Sequence, residues 1–453
     1  MQNLDSTVVA TALPTMARAF GADPLHMNVA LTSYMLSLAV FIPVSGWMAD
    51  RYGSRTVFRA AIAVFTIGSV LCGRATNLPF LVSARILQGA GGALMVPVGR
   101  LLLLRAIDKT DLVAAMAWLT MPALIGPVVG PPLGGFIVTY AHWPLIFDLN
   151  VPIGILGIAL VTRFIQETHE PGRRRLDVRG LALSSVSLAA LMVGLETAGR
   201  GVLPGVFVAG LLAVGTLAAA TYIWHARRHP EPLLDFGLLR LPTFAVSVTA
   251  GSLFRVGIGA IPFLLPLMLQ LGFGKTAAQS GLVTFASSAG ALAMKPIATG
   301  TLRRFGFRAT LVWNAVLSAI LLGACAFFRP AWPAAAIYAV LLVGGFVRSL
   351  QFTAYNSIAY ADVPRERMSA ATSLYSTLQQ LSLALGITGG AAVLEAATAI
   401  SGHGKPTLMD FSVGFAAVAA VALLAAPVAW ALPVNAGDEM TGHRPSEREG
   451  ERA

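Results

Sequence analysis

Several charged side chains lie inside long apolar stretches of this chain, and they are the residues best suited to do chemistry. Asp5, Arg85, Arg255, Lys295 and Arg348 each stand among mostly apolar neighbours. A charge inside a membrane is costly, and it normally faces the interior of a helix bundle or a water-filled cavity. We therefore expect the four cations to line an internal cavity.

Asp5 is the acid that stands within one of these apolar stretches, so it is the candidate for binding and releasing a proton. Burial disfavours the charged form of a carboxyl group. The alternative is a structural acid held in an ion pair. Gln88 follows Arg85 by one helical turn, shares its face and belongs to the same predicted cavity. The alternative for Arg85 is to extend toward the outer membrane interface.

These residues need a membrane-spanning scaffold. Of the 453 residues, 56% are hydrophobic and 12% charged, and the mean hydropathy is +0.72. Apolar stretches of about 20 residues, enough to cross a bilayer as a helix, recur along the chain. They predict an all-α protein with fourteen spans, at about 1–19, 27–49, 56–73, 78–103, 113–139, 145–164, 180–198, 203–224, 243–271, 279–301, 308–328, 332–354, 369–397 and 411–432.

The net charge of +11 follows from membrane topology. Most of the 32 Lys and Arg lie in alternate loops and at the C-terminus, which is the positive-inside pattern. It predicts a multi-pass protein of a bacterial-type cytoplasmic (inner) membrane with a cytoplasmic C-terminus. The lipid bilayer is therefore the expected partner, and no nucleic acid is needed to explain the charge.

Enzymatic and cofactor signatures are weak. Cys72 and Cys325 both lie in apolar spans and predict neither a disulfide framework nor a metal site. The GKT at 274–276 resembles the end of a phosphate loop, but Leu269 occupies the position of the required first glycine. We expect no nucleotide, no metal, no cofactor and no enzymatic activity.

A short loop between the second and third spans carries a charged motif, GWMADRYGSR at 46–55. A loop of this kind can exchange ion pairs as helices move, or it can simply anchor the helix ends at the membrane surface. RFGFR at 304–308 repeats the pattern between the tenth and eleventh spans, which predicts two six-helix halves. The predicted gate residues are Gly46, Asp50, Arg51, Gly53, Arg55, Arg304, Gly306 and Arg308.

The fifth span contains GPVVGPPLGG at 126–135. Gly126, Gly130 and Gly134 recur every four residues and form one helix face, which permits close approach of another backbone. Pro131 and Gly135 add local freedom. We expect this face to contact a helix of the opposite half; the alternative is a bent packing groove.

Together these stretches resemble the major facilitator superfamily. GWMADRYGSR is similar to its helix 2–3 loop motif, 81–93 to its helix 4 motif, and GPVVGPPLGG to a helix 5 motif associated with exporters. LDSTVVATALP at 4–14 and WPLIFDLNVPIG at 143–154 resemble the fourteen-span drug:proton antiporter branch. Arg303 departs from the pattern, because it stands where the first-half loop has Asp50.

The resemblance implies a major facilitator fold made of two six-helix bundles and a two-helix central insertion. We divide the chain into a first bundle at 1–166, a linker with two inserted helices at 167–235, a second bundle at 236–434 and a disordered tail at 435–453. The first helix looks truncated, because Asp5 lies so near the start of the chain.

The function implied is proton-coupled efflux of drugs or amphiphilic small molecules by alternating access, with the proton gradient as the energy source. In such an antiporter the protonation of one acid competes with substrate, and Asp5 is the candidate for this proton coupling. Two alternatives stay open: a transporter of a specific metabolite or organic anion, and a non-transporting sensor or scaffold. Whether a periplasmic adaptor protein takes part is left open.

Overall fold

The computed structural model describes residues 1–21, 27, 29–167, 175–198, 203–402 and 405–442. Over these ranges the chain forms helices and short turns, without a β-strand. The long helices are α1 Gln2–Phe20, α2 Val29–Tyr52, α3 Ser54–Gly73, α4 Leu78–Ala106, α5 Leu112–Tyr140, α6 Leu145–Phe164, α7 Val178–Thr197, α8 Gly205–Ala226, α9 Pro242–Gly272, α10 Ala277–Met294 continued by Ala298–Phe305, α11 Phe307–Phe327, α12 Ala334–Ile358, α13 Met368–Ser401 and α14 Leu408–Trp430.

Each helix corresponds to one predicted span, so the all-α prediction is confirmed. Among the described residues, 11 helices are long and apolar enough to cross a membrane by length and composition. Local sequence fixes where several of them begin. The Asn77 side chain accepts a hydrogen bond from the Phe80 amide at 2.9 Å and caps α4. Thr276, the last residue of the GKT stretch, forms a capping box with Gln279 at the start of α10.

The two repeated loops share an unusual backbone conformation. Gly53, between α2 and α3, has φ 87°, and Gly306, between α10 and α11, has φ 71°. Residues with a side chain rarely adopt these angles, so glycine allows both sharp connections. The sequence echo between RYGSR and RFGFR therefore reflects the same turn at equivalent places of two halves.

Helix packing repeats between the halves. In the first half α1 packs on α5, α2 on α4, and α3 on both α4 and α6. In the second half α9 packs on α13, α10 on α12, and α11 on both α12 and α14. The halves meet along two seams, one where α2 and α4 contact α13 and one where α5 contacts α10 and α12.

The inserted helices are attached to one of these seams. α7 and α8 pack on each other, and α7 also contacts both α2 and α13. Thr32 of α2 donates a hydrogen bond to Glu196 of α7 at 2.8 Å. Thr388 of α13 donates one to the Leu195 carbonyl of α7 at 3.1 Å. The insertion thus touches both halves where they meet.

The C-terminal segment differs from the expected disordered tail over its first residues. Gly437, with φ 77°, leads into a helical turn, Asp438–Thr441. Met440 of this turn is 1% exposed, so burial of an apolar side chain orders the segment that the polar composition suggested was disordered. Residues 443–453 lie outside the described part of the chain.

Candidate transport site

Asp5 and Arg85 form a fully buried ion pair inside the first half. Arg85 Nη1 lies 2.6 Å from Asp5 Oδ2, and neither side chain is exposed. Arg85 Nε also donates to the Ala30 carbonyl of α2 at 3.1 Å. The Tyr34 ring covers the guanidinium, with its centroid 4.3 Å from Arg85 Cζ. The acid and the cation predicted separately from sequence are therefore direct partners.

Neutral polar groups complete the network around Asp5. Asp5 Oδ1 accepts hydrogen bonds from Gln88 Nε2 at 2.9 Å and from Asn150 Nδ2 at 3.1 Å. Both amides also donate to Ser69 Oγ, at 2.6 and 3.1 Å. Gln88 Oε1 accepts from Arg85 at 2.6 Å. The Asp5 network, as we call these five side chains, joins α1, α3, α4 and α6.

The expectation that Arg85 and Gln88 line an internal cavity needs correction. Both are 0% exposed, because helices of their own half enclose them. Because the site is enclosed, the charged form of Asp5 is stabilised by its protein partners and not by water. A buried charge without partners is strongly disfavoured.

The three cations of the second half do not join this network. Arg255 of α9 donates to the Tyr375 hydroxyl, and Arg348 of α12 donates to Ser287 Oγ. Lys295, just after α10, donates to Thr120 Oγ1 at 2.6 Å and to Thr353 Oγ1 at 3.0 Å. Within the described residues no carboxylate lies at salt-bridge distance from any of the three.

The loop motif of the first half reaches across to the second half. Asp50 Oδ1 accepts from Arg105 Nη2 at 2.9 Å, and Asp50 Oδ2 accepts from Ser369 Oγ of α13 at 2.5 Å. Arg105 also donates to Ser54 at 2.7 Å. Ser369 lies in the first turn of α13, where the helix dipole favours an anion. We call these four residues the Asp50 clasp, and the end of the bundle that carries it the basic end.

Gly46 provides the close approach that the clasp requires. Its amide donates to Ser373 Oγ at 2.8 Å. A Cβ built on Gly46 would lie 2.6 Å from the Ser369 carbonyl oxygen, which is shorter than real Cβ contacts. Glycine at this position therefore lets α2 lie directly against α13.

The remaining predicted gate residues take different positions. Arg51 and Arg304 are exposed at the basic end. Arg55 donates from its amide to Glu167 Oε1 at 3.0 Å and from its guanidinium to the Thr162 carbonyl. The Arg308 guanidinium stacks over the Trp430 ring of α14, 4.9 Å from its centroid. Arg55 and Arg308 hold helices within their own halves.

The glycine face of α5 exists, but its predicted partner is wrong. A Cβ on Gly126 would meet the Leu4 amide nitrogen at 2.8 Å, and the corresponding atoms on Gly130 and Gly134 would meet Thr7 and Thr11. All three contacts are to α1 of the same half, because α1 and α5 pair within the first bundle. Gly135 has open space at its Cβ position, and the Pro131 side chain lies outside the described part.

At the start of α7 and the end of α8, Asp177, His225 and His229 place ligand-type atoms within 4.8 Å of one another. They are the described residues whose geometry could hold a metal ion. Asp177 Oδ1 lies 2.9 Å from His225 Nε2 and accepts from the Gly180 amide at 2.8 Å. Burial opposes ionisation of Asp177, but these hydrogen bonds and the nearby histidines leave its pKa below the ordinary value.

Sequence reasoning missed Asn150, Ser69, Arg105 and Ser369. Asn150 and Ser69 are neutral and do not stand out in apolar spans, whereas Arg105 reads as one more basic residue at a helix end. Asn150 lies 145 positions from Asp5 in the chain, so only the fold brings the two together.

Comparison with known proteins agrees with this architecture. The sequence profile of the Major Facilitator Superfamily matches residues 1–387. The chain belongs to the Major Facilitator Superfamily. Within the superfamily it is similar to proteins named MdtD multidrug resistance proteins. It is 40% identical to the one from Citrobacter koseri over 390 residues, which cover 86% of this chain and 82% of the relative. It is 39% identical to the one from Klebsiella pneumoniae over 389 residues, with the same coverage.

Solved structures of the superfamily show the same fold. The proton:xylose symporter XylE, bound to 6-bromo-6-deoxy-D-glucose, superposes with a TM-score of 0.67 and 16% identity over 97% of this chain and 95% of XylE. The human organic anion transporter MFSD10 superposes with a TM-score of 0.65 and 13% identity over 94% and 96% of the two chains. The predicted fold class and family are therefore confirmed, and the chain is a membrane transporter of small molecules.

Proposed function

We propose that this transporter exports drugs or amphiphilic small molecules in exchange for protons by alternating access. The multidrug resistance names of its relatives support the substrate class. The buried Asp5 network carries the proposal of proton coupling, because it holds a titratable carboxylate in contact with a cation and two amides. The proton gradient is the proposed energy source, and the bacterial inner membrane with a cytoplasmic basic end is the proposed location.

Proton binding at Asp5 would change the charge of the network. The ionised carboxylate neutralises Arg85 and accepts from both Gln88 and Asn150. A protonated Asp5 loses the ion pair and gains a donor hydrogen, so Arg85 would have to find another partner. An uncompensated guanidinium in this enclosed site is unfavourable, and protonation therefore favours a second arrangement of the surrounding helices.

Helix α4 is the physical connection between the Asp5 network and the Asp50 clasp. It carries Arg85 and Gln88 at one end and Arg105 at the other. Pro97 lies between them inside the helix, where it removes a backbone hydrogen bond and permits bending. We propose that release of Arg85 bends or shifts α4 and so loosens Arg105 from Asp50. The basic end would then open.

Reconstitution in liposomes with an imposed pH gradient tests this proposal. We expect the wild-type protein to move a fluorescent amphiphile against its concentration gradient. Protons should cross the membrane in the opposite direction at the same time. Asp5→Asn should abolish both signals while exchange of labelled for unlabelled substrate continues. Asp108→Asn, which alters an exposed acid of the α4–α5 loop, is the matched control and should behave as wild type.

Two outcomes would count against the proposal. Full proton-coupled flux in Asp5→Asn would remove Asp5 from the coupling role. If no compound shows gradient-dependent movement, the exporter assignment fails and the sensor or scaffold alternative gains support.

A transporter of a specific metabolite or organic anion is the second candidate. The observation that favours it is a pair of buried cations in the second half, Arg255 and Lys295. In the described part of the chain each donates to hydroxyl groups and neither lies at salt-bridge distance from a carboxylate. Competition assays with charged and neutral compounds distinguish this candidate from a broad exporter.

A further inference from the structure

We propose that Arg100 and Arg255 form a binding site for the anionic group of a transported amphiphile, at the interface between the two halves. This inference rests on the proposed transport function and names its substrate class. Carboxylate and sulfonate groups fit the site, because a guanidinium binds such planar or multi-oxygen anions through paired hydrogen bonds.

The two arginines come from different halves and share one aromatic ring. Arg100 lies on α4 and Arg255 on α9. Their Cζ atoms lie 5.3 Å and 4.9 Å from the centroid of the Tyr375 ring of α13, so the two positive charges are at most about 10 Å apart. Like charges at that separation repel each other when solvent does not screen them.

Neither arginine has an acidic partner in the described part of the chain. Arg100 is 3% exposed, and its donors reach only Tyr360 Oη at 3.3 Å and Gln379 Oε1 at 3.4 Å. Arg255 is 1% exposed and donates to the Tyr375 hydroxyl. The Nε atom of each guanidinium is buried without a hydrogen-bond partner.

The same helices provide a direct comparison. Arg85 of α4 is fully buried and Arg105 of the same helix is mostly buried, and each is paired with an acid, Asp5 or Asp50. A buried cation with only neutral partners is disfavoured relative to one that is paired. Arg100 and Arg255 therefore lack the compensation that their neighbours have, and an external anion would supply it.

Further polar groups near the arginines could contact such a ligand. The Ser376 Oγ is buried without a hydrogen-bond partner. A Cβ on Gly251 would lie 2.9 Å from Arg255 Nη1 and 3.5 Å from Tyr355 Cγ. The arginine and the tyrosine therefore both border the position that a side chain at residue 251 would occupy. Phe352, whose ring centroid is 5.7 Å from Arg255 Cζ, adds an apolar surface for the rest of an amphiphile.

The position of the site gives it a role in the transport cycle. Because Arg100 belongs to the first half and Arg255 to the second, separation of the halves at the basic end would open the cluster. An anion bound between the two guanidinium groups would reduce their repulsion and favour closure. The substrate itself would thus promote the conformation seen here.

Binding of two probes of matched shape tests the proposal in lipid nanodiscs without a pH gradient. We expect 2-naphthalenesulfonate to bind and to raise the melting temperature, and 2-naphthylmethylammonium to do neither. Arg100→Gln and Arg255→Gln should each weaken sulfonate binding at least tenfold. Arg228→Gln, an exposed arginine that stacks on Trp224, is the control and should bind as wild type.

The melting temperature without ligand separates this role from a structural one. If the arginines only brace the interface, the Gln variants should melt at lower temperature than wild type. We expect unchanged or higher melting temperatures, because each substitution removes an uncompensated buried charge.

Equal binding of both probes, or sulfonate binding that both Gln variants retain, would overturn the anion site. Asp5→Asn should keep sulfonate binding, which separates this site from proton coupling. Proton-coupled export of cationic dyes together with absent sulfonate binding would reject the anion site and leave the proposed function standing. Sulfonate binding without gradient-driven flux would reject proton-coupled export and support the anion site.

Discussion

Gly126 shows how a single missing side chain sets the distance between two helices. Its Cβ position lies 2.8 Å from the Leu4 amide nitrogen and 2.9 Å from the Asn3 carbonyl carbon. Both are backbone atoms of α1, so they cannot move aside without shifting the whole helix. The close contact also allows Thr7 Oγ1 to donate to the Gly126 carbonyl at 3.2 Å. Asp5 lies between these contacts along α1.

We predict that Gly126→Ala destabilises the protein by about 1–3 kcal/mol, the usual cost of overpacking a tight interface. Gly135→Ala should be neutral or gain up to about 1 kcal/mol, because alanine favours the helix and nothing lies within 4 Å of its Cβ. Unfolding titrations of the two purified variants measure the difference. Equal stability would mean that α1 and α5 adjust freely to each other.

At the residue scale, sequence reasoning found charges more readily than their partners. Asp5, Arg85 and Gln88 are conspicuous because polar groups are costly inside spans, and the structure brings all three together. Asn150 escapes notice, since a single amide at a helix start has many ordinary roles. Pairing across distant helices depends on the packing of the whole bundle, which no local pattern encodes.

At the scale of elements, α2 and α13 hold the basic end closed through direct contact. Gly46 lies against the Ser369 carbonyl, and Asp50 accepts from the Ser369 hydroxyl. The two contacts lie one helical turn apart on α2. Separation of the halves at this end must break both contacts, so the α2–α13 pair and the Asp50 clasp together oppose opening.

We predict that Gly46→Ala shifts the protein away from this closed conformation. The added methyl group would lie 2.6 Å from a backbone oxygen, so α2 and α13 must separate. Spin labels on exposed Tyr52 and Glu366 should report a longer or broader distance distribution by double electron–electron resonance. Cys72 and Cys325 are buried, which limits background labelling.

Gly389→Ala is the control for this experiment, because it changes a glycine of α13, the other helix of the pair, that has open space at its Cβ position. It should leave the distances as in wild type. Unchanged distances in Gly46→Ala would show that the contact does not limit opening.

The positions of the helices could be predicted from the sequence, but which helices pack against each other could not. Apolar length predicted where all fourteen long helices lie, and the four-residue spacing predicted the glycine face of α5. The expectation that this face contacts the opposite half failed, because helical periodicity specifies which face is small and not which helix occupies it. Likewise, the composition of residues 435–442 did not reveal the buried Met440.

At the scale of the whole molecule, the inserted pair makes the two seams unequal. α7 contacts both α2 and α13, and Leu188 and Met192 of α7 pack with Ala39 of α2. In the described part of the chain neither α7 nor α8 packs along α5 and α10. The repeat of two halves could be anticipated from the loop echo, whereas the position of the insertion is a property of the assembled bundle.

We predict that Leu188→Ala loosens the insertion from the seam and lowers stability by roughly 2 kcal/mol, since it removes packing between three helices. Leu217→Ala on α8, which is 69% exposed, should change stability by less than about 0.5 kcal/mol. Thermal melting in nanodiscs compares the two variants. Similar melting temperatures would show that α7 adds little to the seam.

The unequal seams also bear on how the amphiphile of the proposed function would reach the transporter. A compound dissolved in the bilayer can enter a two-half transporter sideways only where lipid reaches the boundary between the halves. Here α7 packs over the α2–α13 boundary, and in the described part of the chain neither inserted helix packs along α5 and α10. The insertion would therefore leave such a compound a single lateral entry route, the boundary between α5 and α10, where two equal boundaries would offer two.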